Sequence, residues 1–430
     1  MLEKLAVLGG PKTCNKIPQP TPFFEEEINA AVNAMKKGLT IFSNPVVKKF
    51  EHLFAEYVGT KYAVSTSSGT SAMNIVLLSL KELNAIRYVI IPAYSYIGLV
   101  NAILAAGLRY KIVDNDADTL SISTSKLEKE GLEKATVVLL PYLFGLHPDI
   151  DGIAKLLNNP QLELVEDCAQ GLGTYYKKRH VGTFGCGCFS FAENKTITTA
   201  GEGGMVVTNH KDVARLCRII SHQGIMWQDT EISYIDSEKQ PTFYDLQHRF
   251  DCKIPGQSSR MTAVQAATGI VQLEKIDKIN RKRRLNADYL IQKLSHHKDF
   301  WFPKIGDRKV ATNTIPIIIK RSFYASRDVL LQCLIEEGVP ASIYSPRPLF
   351  EYTLVKRTCS SSVSSKRYPI ARLIAQRHIL LPIHAGLTKQ HLYEIASAFE
   401  KVVSSLSEPQ LIKAARKEVA KKLGVSESFI

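Results

Sequence analysis

The sequence predicts an α/β protein whose main body is a sheet of strands joined by crossover helices. Three observations carry that reading. Between residues 60 and 210, short β-rich runs alternate with helix-length stretches, the pattern of βαβ units. Several of the runs are nearly continuous in Val, Ile and Leu, as strands covered on both faces must be. The chain of 430 residues is also too long for one ordinary domain, so a second, smaller unit is expected.

The strand candidates are KYAVST (61–66), RYVIIPAY (87–94), RYKIVDND (109–116), ATVVLLPY (135–142), LELVEDCA (162–169), CGCFSFA (186–192) and GMVVTN (204–209). Between them SAMNIVLLSLKEL (71–83) and IGLVNAILAAG (97–107) have the apolar spacing and length of helices. TAVQAATGIVQLEKIDKINRKRRLNADYLIQKL (262–294) reads as one long helix, weakly interrupted by Gly269, that could bridge to a second domain. There VATNTIPIIIK (310–320) predicts a strand, SRDVLLQCLIEEG (326–338) a helix and HLYEIASAFEKVVSSL (391–406) a closing helix. The expected division is a large domain over 1–285, N-terminal segment included, a small α+β domain over 286–406, and a basic amphipathic tail helix over 407–430. Pro409 suits that helix's first turn and Gly424 its stop, with Leu411, Ala415, Val419 and Leu423 along one face. Docking of that face on the parent domain or on a neighbouring subunit is expected.

Apolar residues make up 45% and charged residues 22%, a soluble balance with ample core. No apolar run approaches the roughly 20 residues of a membrane helix, and the charged start MLEKLAVLGG lacks the order of a signal peptide. A cytoplasmic protein without a membrane partner is expected. The eight cysteines contain no CxxC pair, so no metal framework is expected; Cys186 and Cys188 would share one strand face as core thiols. The net charge of +14 raises the question of nucleic acid, but the basic residues are scattered and no aromatic platform accompanies them. No nucleic-acid partner is expected, and the basic surface suits an anionic small substrate.

Ligands of such sheets gather at the carboxyl ends of the strands, and four polar groupings fall there. STSSGTSA (65–72) follows a strand and opens a helix; Gly69 can take the turn, while Thr70, Ser71 and their N–H groups face whatever sits on the helix N-terminus, a phosphate cradle in outline. IPAYSYIG (91–98) presents Tyr94 and Tyr96 on one side, and a flat ring could lie on one of them. LVEDCAQ (164–170) ends a strand with Glu166 and Asp167, then Gln170; a carboxylate leaving an apolar strand needs a cationic or N–H partner. FSFAENKTITTAGEGG (189–204) places Ser190 at a strand end and Lys195 five residues later. A desolvated lysine gives up its proton more easily and becomes a nucleophile toward an aldehyde. Pyridoxal phosphate (PLP) accounts for all four groupings, through its phosphate, flat ring, ring nitrogen, phenolic oxygen and aldehyde.

SSGTSAM, PAYSYIGLVNAI, LVEDCAQGLG, FSFAENKTITTAGEGGMVVT, SRMTAVQAATGIVQLEKI and LPIHAGLT, in this order within residues 5–405, resemble the DegT/StrS family, the sugar aminotransferases of PLP fold type I. The resemblance implies a mostly parallel seven-stranded sheet sandwiched by helices, plus a smaller C-terminal domain. It makes Lys195 the Schiff-base lysine and proton shuttle, and Asp167 the partner of the pyridine nitrogen. Gln170 falls near the ring hydroxyl, Gly69, Thr70 and Ser190 at the phosphate with Ser71 beside them, and Tyr96 rather than Tyr94 on the ring. It further implies an amino donor, glutamate or glutamine, and a keto-sugar acceptor, usually nucleotide-linked and in one branch a keto-cyclitol, in amino-sugar, polysaccharide or secondary-metabolite biosynthesis. A homodimer is implied because an asparagine of the family pattern serves the neighbouring subunit's phosphate; here that position is Ser258, a shorter donor. At GTFGCGCFSF (182–191), Cys186 stands where the family carries an acidic residue, so the turn before Ser190 is expected to differ in shape. Two other readings belong here. Dehydratases of the family replace the lysine with histidine, and a non-catalytic regulator would keep only the fold. Lys195, Asp167 and Gln170, all present, point away from both.

Overall fold

The computed structural model describes residues 3–20, 24–38, 44–84, 86–130, 132, 136–157, 162–225, 252, 254–303, 313–361 and 364–430. Each of the seven β-rich runs forms a strand: β1 (Tyr62–Thr66), β2 (Tyr88–Pro92), β3 (Tyr110–Val113), β4 (Thr136–Pro141), β5 (Leu162–Asp167), then, after a small hairpin of β6 (Tyr175–Tyr176) and β7 (Arg179–His180), β8 (Cys186–Ser190) and β9 (Gly204–Thr208). They build one sheet in the order β1-β9-β8-β5-β4-β2-β3. Within it only β9 runs antiparallel to its neighbours. The physical reason lies in the β8–β9 connection, which returns through the Lys195 loop without a crossover helix. Carboxyl ends of β1, β8, β5, β4 and β2 therefore share one edge of the sheet.

Alternation along the strands divides the apolar side chains between two cores. Val89, Ile91, Val137, Leu139, Cys186, Cys188 and Val206 face one; Ile90, Val138, Leu140, Phe189, Met205 and Val207 face the other. Cys186 and Cys188 are thus buried free thiols on one face. The helices of this part are α1 (Glu25–Lys36), α2 (Pro45–Val58), α3 (Gly69–Leu83), α4 (Gly98–Ala105), α5 (Thr124–Lys129), α6 (Ile150–Leu156) and α7 (Lys211–Ser221). The long helix α8 (Ala263–Leu294) starts at a capping box of Thr262 and Gln265. Gly269 interrupts its propensity for a packing reason: a Cβ there would lie 2.6 Å from the Phe50 ring and 2.8 Å from Thr199 Cγ2.

Beyond α8, β10 (Phe300–Trp301), β11 (Thr314–Ile319) and β12 (His378–Pro382) form an antiparallel sheet, with α9 (Arg327–Glu336), α10 (Thr353–Thr358), α11 (Pro369–Arg377) and α12 (Lys389–Ser405). The sequence reading lacks β12, because its five residues follow α11 directly with no turn residue to mark the boundary, and so short an apolar run does not separate helix from strand. The chain's start is held by residues far along the chain. Leu5, Val7 and Cys14 are buried, and Glu337, after α9, accepts from Ala6 N–H at 2.8 Å, Thr13 N–H at 3.1 Å and Thr13 Oγ1 at 2.8 Å. A buried carboxylate needs such donors, and they tie the N-terminal segment to the end of α9.

The tail forms α13 (Pro409–Leu423), stopped by Gly424 at φ 66°, and packs on α9 and the Ala6–Leu8 turn. Ala415 and Val419 are buried as expected, but Leu423 is 48% exposed and Ala420 takes its place. Lys422 pairs with Glu336 at 2.7 Å. Among the described residues no helix is long and apolar enough to cross a membrane.

Burial pushes His180, His222 and His378 down to about 4, so they stay neutral in the folded chain, whereas an unfolded histidine titrates near about 6.5. Between those values the unfolded state binds more protons, so this stability is fully present above pH 6.5 and is lost as pH falls toward 4. His378 donates from Nδ1 to Ile374 O at 2.7 Å and accepts Tyr344 N–H at Nε2 at 2.8 Å. His378→Gln is expected to lower the melting temperature at pH 7 and to flatten its fall between pH 7 and 5, by on the order of 2 kcal/mol. An unchanged slope in thermal melts would refute this assignment.

Candidate active site

The site is assembled at the shared strand edge. Ser68 caps α3: its Oγ accepts the Ser71 N–H at 3.1 Å, and the Ser71 hydroxyl lies 3.0 Å from Ser68 Oγ and 3.2 Å from Ser67 Oγ. Ser71 thus spends its polar atoms on the cap. The N–H groups of Gly69 and Thr70, next to it, make no hydrogen bond to another protein group among the described residues. Gly69 is required by close approach, since a Cβ there would sit 2.6 Å from Ser190 Cβ and 3.2 Å from Ser190 Oγ. Two free N–H groups at a helix N-terminus beside a hydroxyl form an anion cradle.

Tyr96 lies near the same point. A Cβ on Gly98 would be 2.8 Å from the Tyr96 ring and 3.2 Å from Thr70 Oγ1, and Tyr96 is 56% exposed. Tyr94 instead is fully buried, and its hydroxyl donates to Ser345 O at 3.1 Å and lies 3.3 Å from His378 Nε2. Of the two tyrosines, only Tyr96 offers an open ring.

Glu166 and Asp167 end β5 and part company. The Glu166 carboxylate accepts from Tyr142 OH at 2.6 Å and from the N–H groups of Gly182, Phe184 and Gly185 at 2.7, 2.8 and 2.7 Å. It therefore holds the Gly182–Gly185 turn from beneath, and β8 leaves that turn paired with β5 from Cys186 to Cys188 and with β9 from Gly187 to Ser190. Asp167, 8% exposed, accepts the Ala169 N–H at 3.0 Å on Oδ1, its one hydrogen bond among the described residues. Burial pushes its carboxyl up, opposed by that N–H and by Lys195. Gln170 accepts the Phe144 N–H on Oε1, which leaves its NH2 as a donor.

Lys195 is held by its main chain. Its N–H donates to Ala192 O at 3.0 Å, Thr198 Oγ1 donates to Phe191 O at 3.0 Å, and Phe191 N–H to Gly203 O at 2.8 Å. Burial pushes the amine below the usual lysine range, with Asp167 and then Glu202 pulling the other way. Desolvation dominates, so this lysine gives up its proton more easily than an exposed one.

Three further residues frame the site that the sequence reading missed. Arg283 is buried, donates to Thr196 O at 3.1 Å and to Asn280 Oδ1 at 3.2 Å, and is pushed down to about 10 by burial. Asn313 Nδ2 donates to Asn194 O and Lys195 O, both at 3.2 Å. Tyr344 has its ring 6.4 Å from Tyr96 and 5.5 Å from Phe144; burial, then the Asp167 carboxylate, push its hydroxyl well above the phenol range. Arg283 carried a usable signal. Ile276, Asn280, Arg283, Ala287, Leu290 and Leu294 follow a three-four spacing, and all are buried. Tyr344 and Asn313 carried none, since only the small domain's position brings them here. Ser258 is exposed on the surface of this chain, its Oγ accepting from Arg260 at 2.8 Å.

A phosphorylated pyridine aldehyde fits these residues on three counts: cradle N–H groups without a protein partner among the described residues, an Asp167 carboxylate with one oxygen to offer, and a desolvated amine on Lys195. The model of the DegT/DnrJ/EryC1/StrS aminotransferase family matches residues 22–400. The GDP-perosamine synthase of Escherichia coli O157:H7 is 32% identical over 370 residues, covering 83% of this chain and 90% of that protein. The fold is that of the aminotransferase from Psychrobacter cryohalolentis, at TM-score 0.80 and 24% identity over 92% of this chain and all of that one. It is also that of the E. coli GDP-4-keto-6-deoxy-D-mannose-3-dehydratase solved with hydrated PLP, at TM-score 0.80 and 24% identity over 90% and 99% of the two chains. The chain belongs to the DegT/DnrJ/EryC1/StrS aminotransferase family: it is a transaminase, and pyridoxal phosphate is its cofactor.

Proposed function

We propose that the chain moves an amino group from glutamate or glutamine to a nucleotide-linked keto-sugar. The observation that carries the transfer chemistry is the buried pair of Lys195 and Asp167 beside the α3 cradle. The acceptor class rests on the GDP-perosamine synthase relative, matched over 90% of its length, and the net charge of +14 suits a diphosphate.

When bound, PLP supplies an electron sink that stabilises negative charge at the donor's α-carbon. Gly69 and Thr70 N–H, Thr70 Oγ1 and Ser190 Oγ would hold its phosphate. Asp167 would present its free oxygen to a protonated ring nitrogen and keep that charge in place, Gln170 would donate to the ring oxygen, and Tyr96 would lie on the ring face. Lys195 Nζ, whose proton burial loosens, takes the proton from the donor's α-carbon and returns it on the other side of the transfer. In the second half of the reaction the same amine moves a proton at the sugar carbon that receives nitrogen. Arg283 and Asn313 keep the Lys195 main chain still while Nζ moves. A homodimer belongs to the proposal, with Ser258 serving the cradle of the second chain.

Purified chain incubated with 15N-glutamate or 15N-glutamine and a panel of keto-sugar nucleotides and keto-inositols tests the reading. Label is expected in a nucleotide-linked amino sugar. Label in a cyclitol alone would replace the acceptor class. A preparation that takes no label from either donor and whose cofactor band does not respond to them would be a regulator that has kept the fold.

A further inference from the structure

We infer that the small domain carries a site for one divalent transition-metal ion, formed by His296, His297 and Glu400. The chain leaves α8 at Ser295, and this turn makes two adjacent side chains converge. On a helix they would diverge by about 100°; here the imidazole rings lie 4.1 Å apart at 34°. Both Nε2 atoms aim at one carboxylate on α12, His296 Nε2 at 3.4 Å from Glu400 Oε1 and His297 Nε2 at 2.8 Å from Oε2. The three ligand atoms lie within 4.8 Å of one another, and among the described residues this is the one group of three or more such side chains so placed.

Two details favour a metal over a plain His–Glu contact. His296 donates from Nδ1 to Lys293 O at 3.0 Å, which fixes the tautomer and leaves the Nε2 lone pair for a ligand bond, the usual orienting device of metal-bound histidine. The His297 ring is wedged edge-on between Phe300 and Phe399, at 6.2 and 5.8 Å, so its Nε2 is held toward Glu400. A tetrahedral ion with bonds of about 2.0–2.2 Å needs ligand atoms roughly 3.3–3.5 Å apart, and the two His–Glu400 distances of 3.4 and 2.8 Å bracket that spacing. The ion takes the place of the proton that His297 Nε2 shares with Glu400. His296 is 62% exposed on its side chain, which leaves the fourth position to water. Two imidazoles and one carboxylate suit Zn2+, Ni2+ or Cu2+ rather than Mg2+ or Ca2+. Cysteine spacing points to no metal, and this site uses none.

The cofactor-loaded chain, free of any affinity tag and stripped with a chelator, is titrated calorimetrically with Zn2+. One equivalent is expected, with His296→Ala and Glu400→Gln each weakening it about tenfold or more. Both positions lie at the surface, so folding of the variants is checked by their thermal melts without metal. Co2+ is expected to give visible bands without thiolate charge transfer, separating this site from the exposed Cys252. No bound equivalent, equal binding by wild type and both variants, or a thiolate band would each overturn the proposal.

Discussion

Lys195→Ala is expected to lower transamination by about 10⁴-fold, the upper range for a residue that moves the proton, with the covalent contribution of its amine lost as well. Two readouts accompany the rate. Borohydride should no longer fix the cofactor's mass onto the chain, and glutamate should no longer shift the cofactor's absorption band on the timescale of wild type. The substitution should leave the fold alone, because the Lys195 loop is held by main-chain atoms: Ala192 O accepts from residue 195, and Arg283 and Asn313 donate to the carbonyls of Thr196 and Lys195. Melting temperatures of wild type and variant should therefore agree. A variant within tenfold of wild type would remove Lys195 from the chemistry.

Asp167→Asn is expected to be the next most damaging change. Asparagine can still accept the Ala169 N–H, so the β5 end keeps its shape, but it brings no charge to a ring nitrogen. Leaving one member of a buried ion pair alone costs about 3–5 kcal/mol, which corresponds to a loss on the order of 10²-fold or more in cofactor affinity, kcat or both. The cofactor-free protein should behave in the opposite way. Asp167 is a carboxylate with one N–H partner in a desolvated position, and removing that charge should leave the melting temperature unchanged or raise it. A variant that melts lower without cofactor yet keeps kcat within threefold would make Asp167 a structural residue.

Much of this site is legible because its parts are local. A strand end, a cap and a helix start occupy consecutive residues, so STSSGTSA reads as a cradle before any tertiary contact is known. The structure then divides neighbours that the sequence leaves alike. Glu166 and Asp167 alternate across β5, and alternation sends Glu166 to the Gly182–Gly185 turn and Asp167 toward Lys195. Tyr94 and Tyr96 alternate in the same sense, yet Tyr94 is covered by Ser345 and His378 while Tyr96 stays open. The covering residues lie about 250 or more positions away, and no local pattern encodes them.

By itself the sequence determined the seven strands, the polar residues at their carboxyl ends, the long helix α8 and the place of Lys195 just beyond a strand end. These follow from periodicity and turn chemistry, which act over a few residues. Tertiary structure alone decided that β9 runs against its neighbours, that Glu337 ties the N-terminal segment to the end of α9, that Arg283 and Asn313 hold the Lys195 loop, and that Tyr344 stands beside Tyr96. Those outcomes depend on which distant groups satisfy one another's buried donors and charges. Such pairing becomes defined only when the two sheets and α8 pack together.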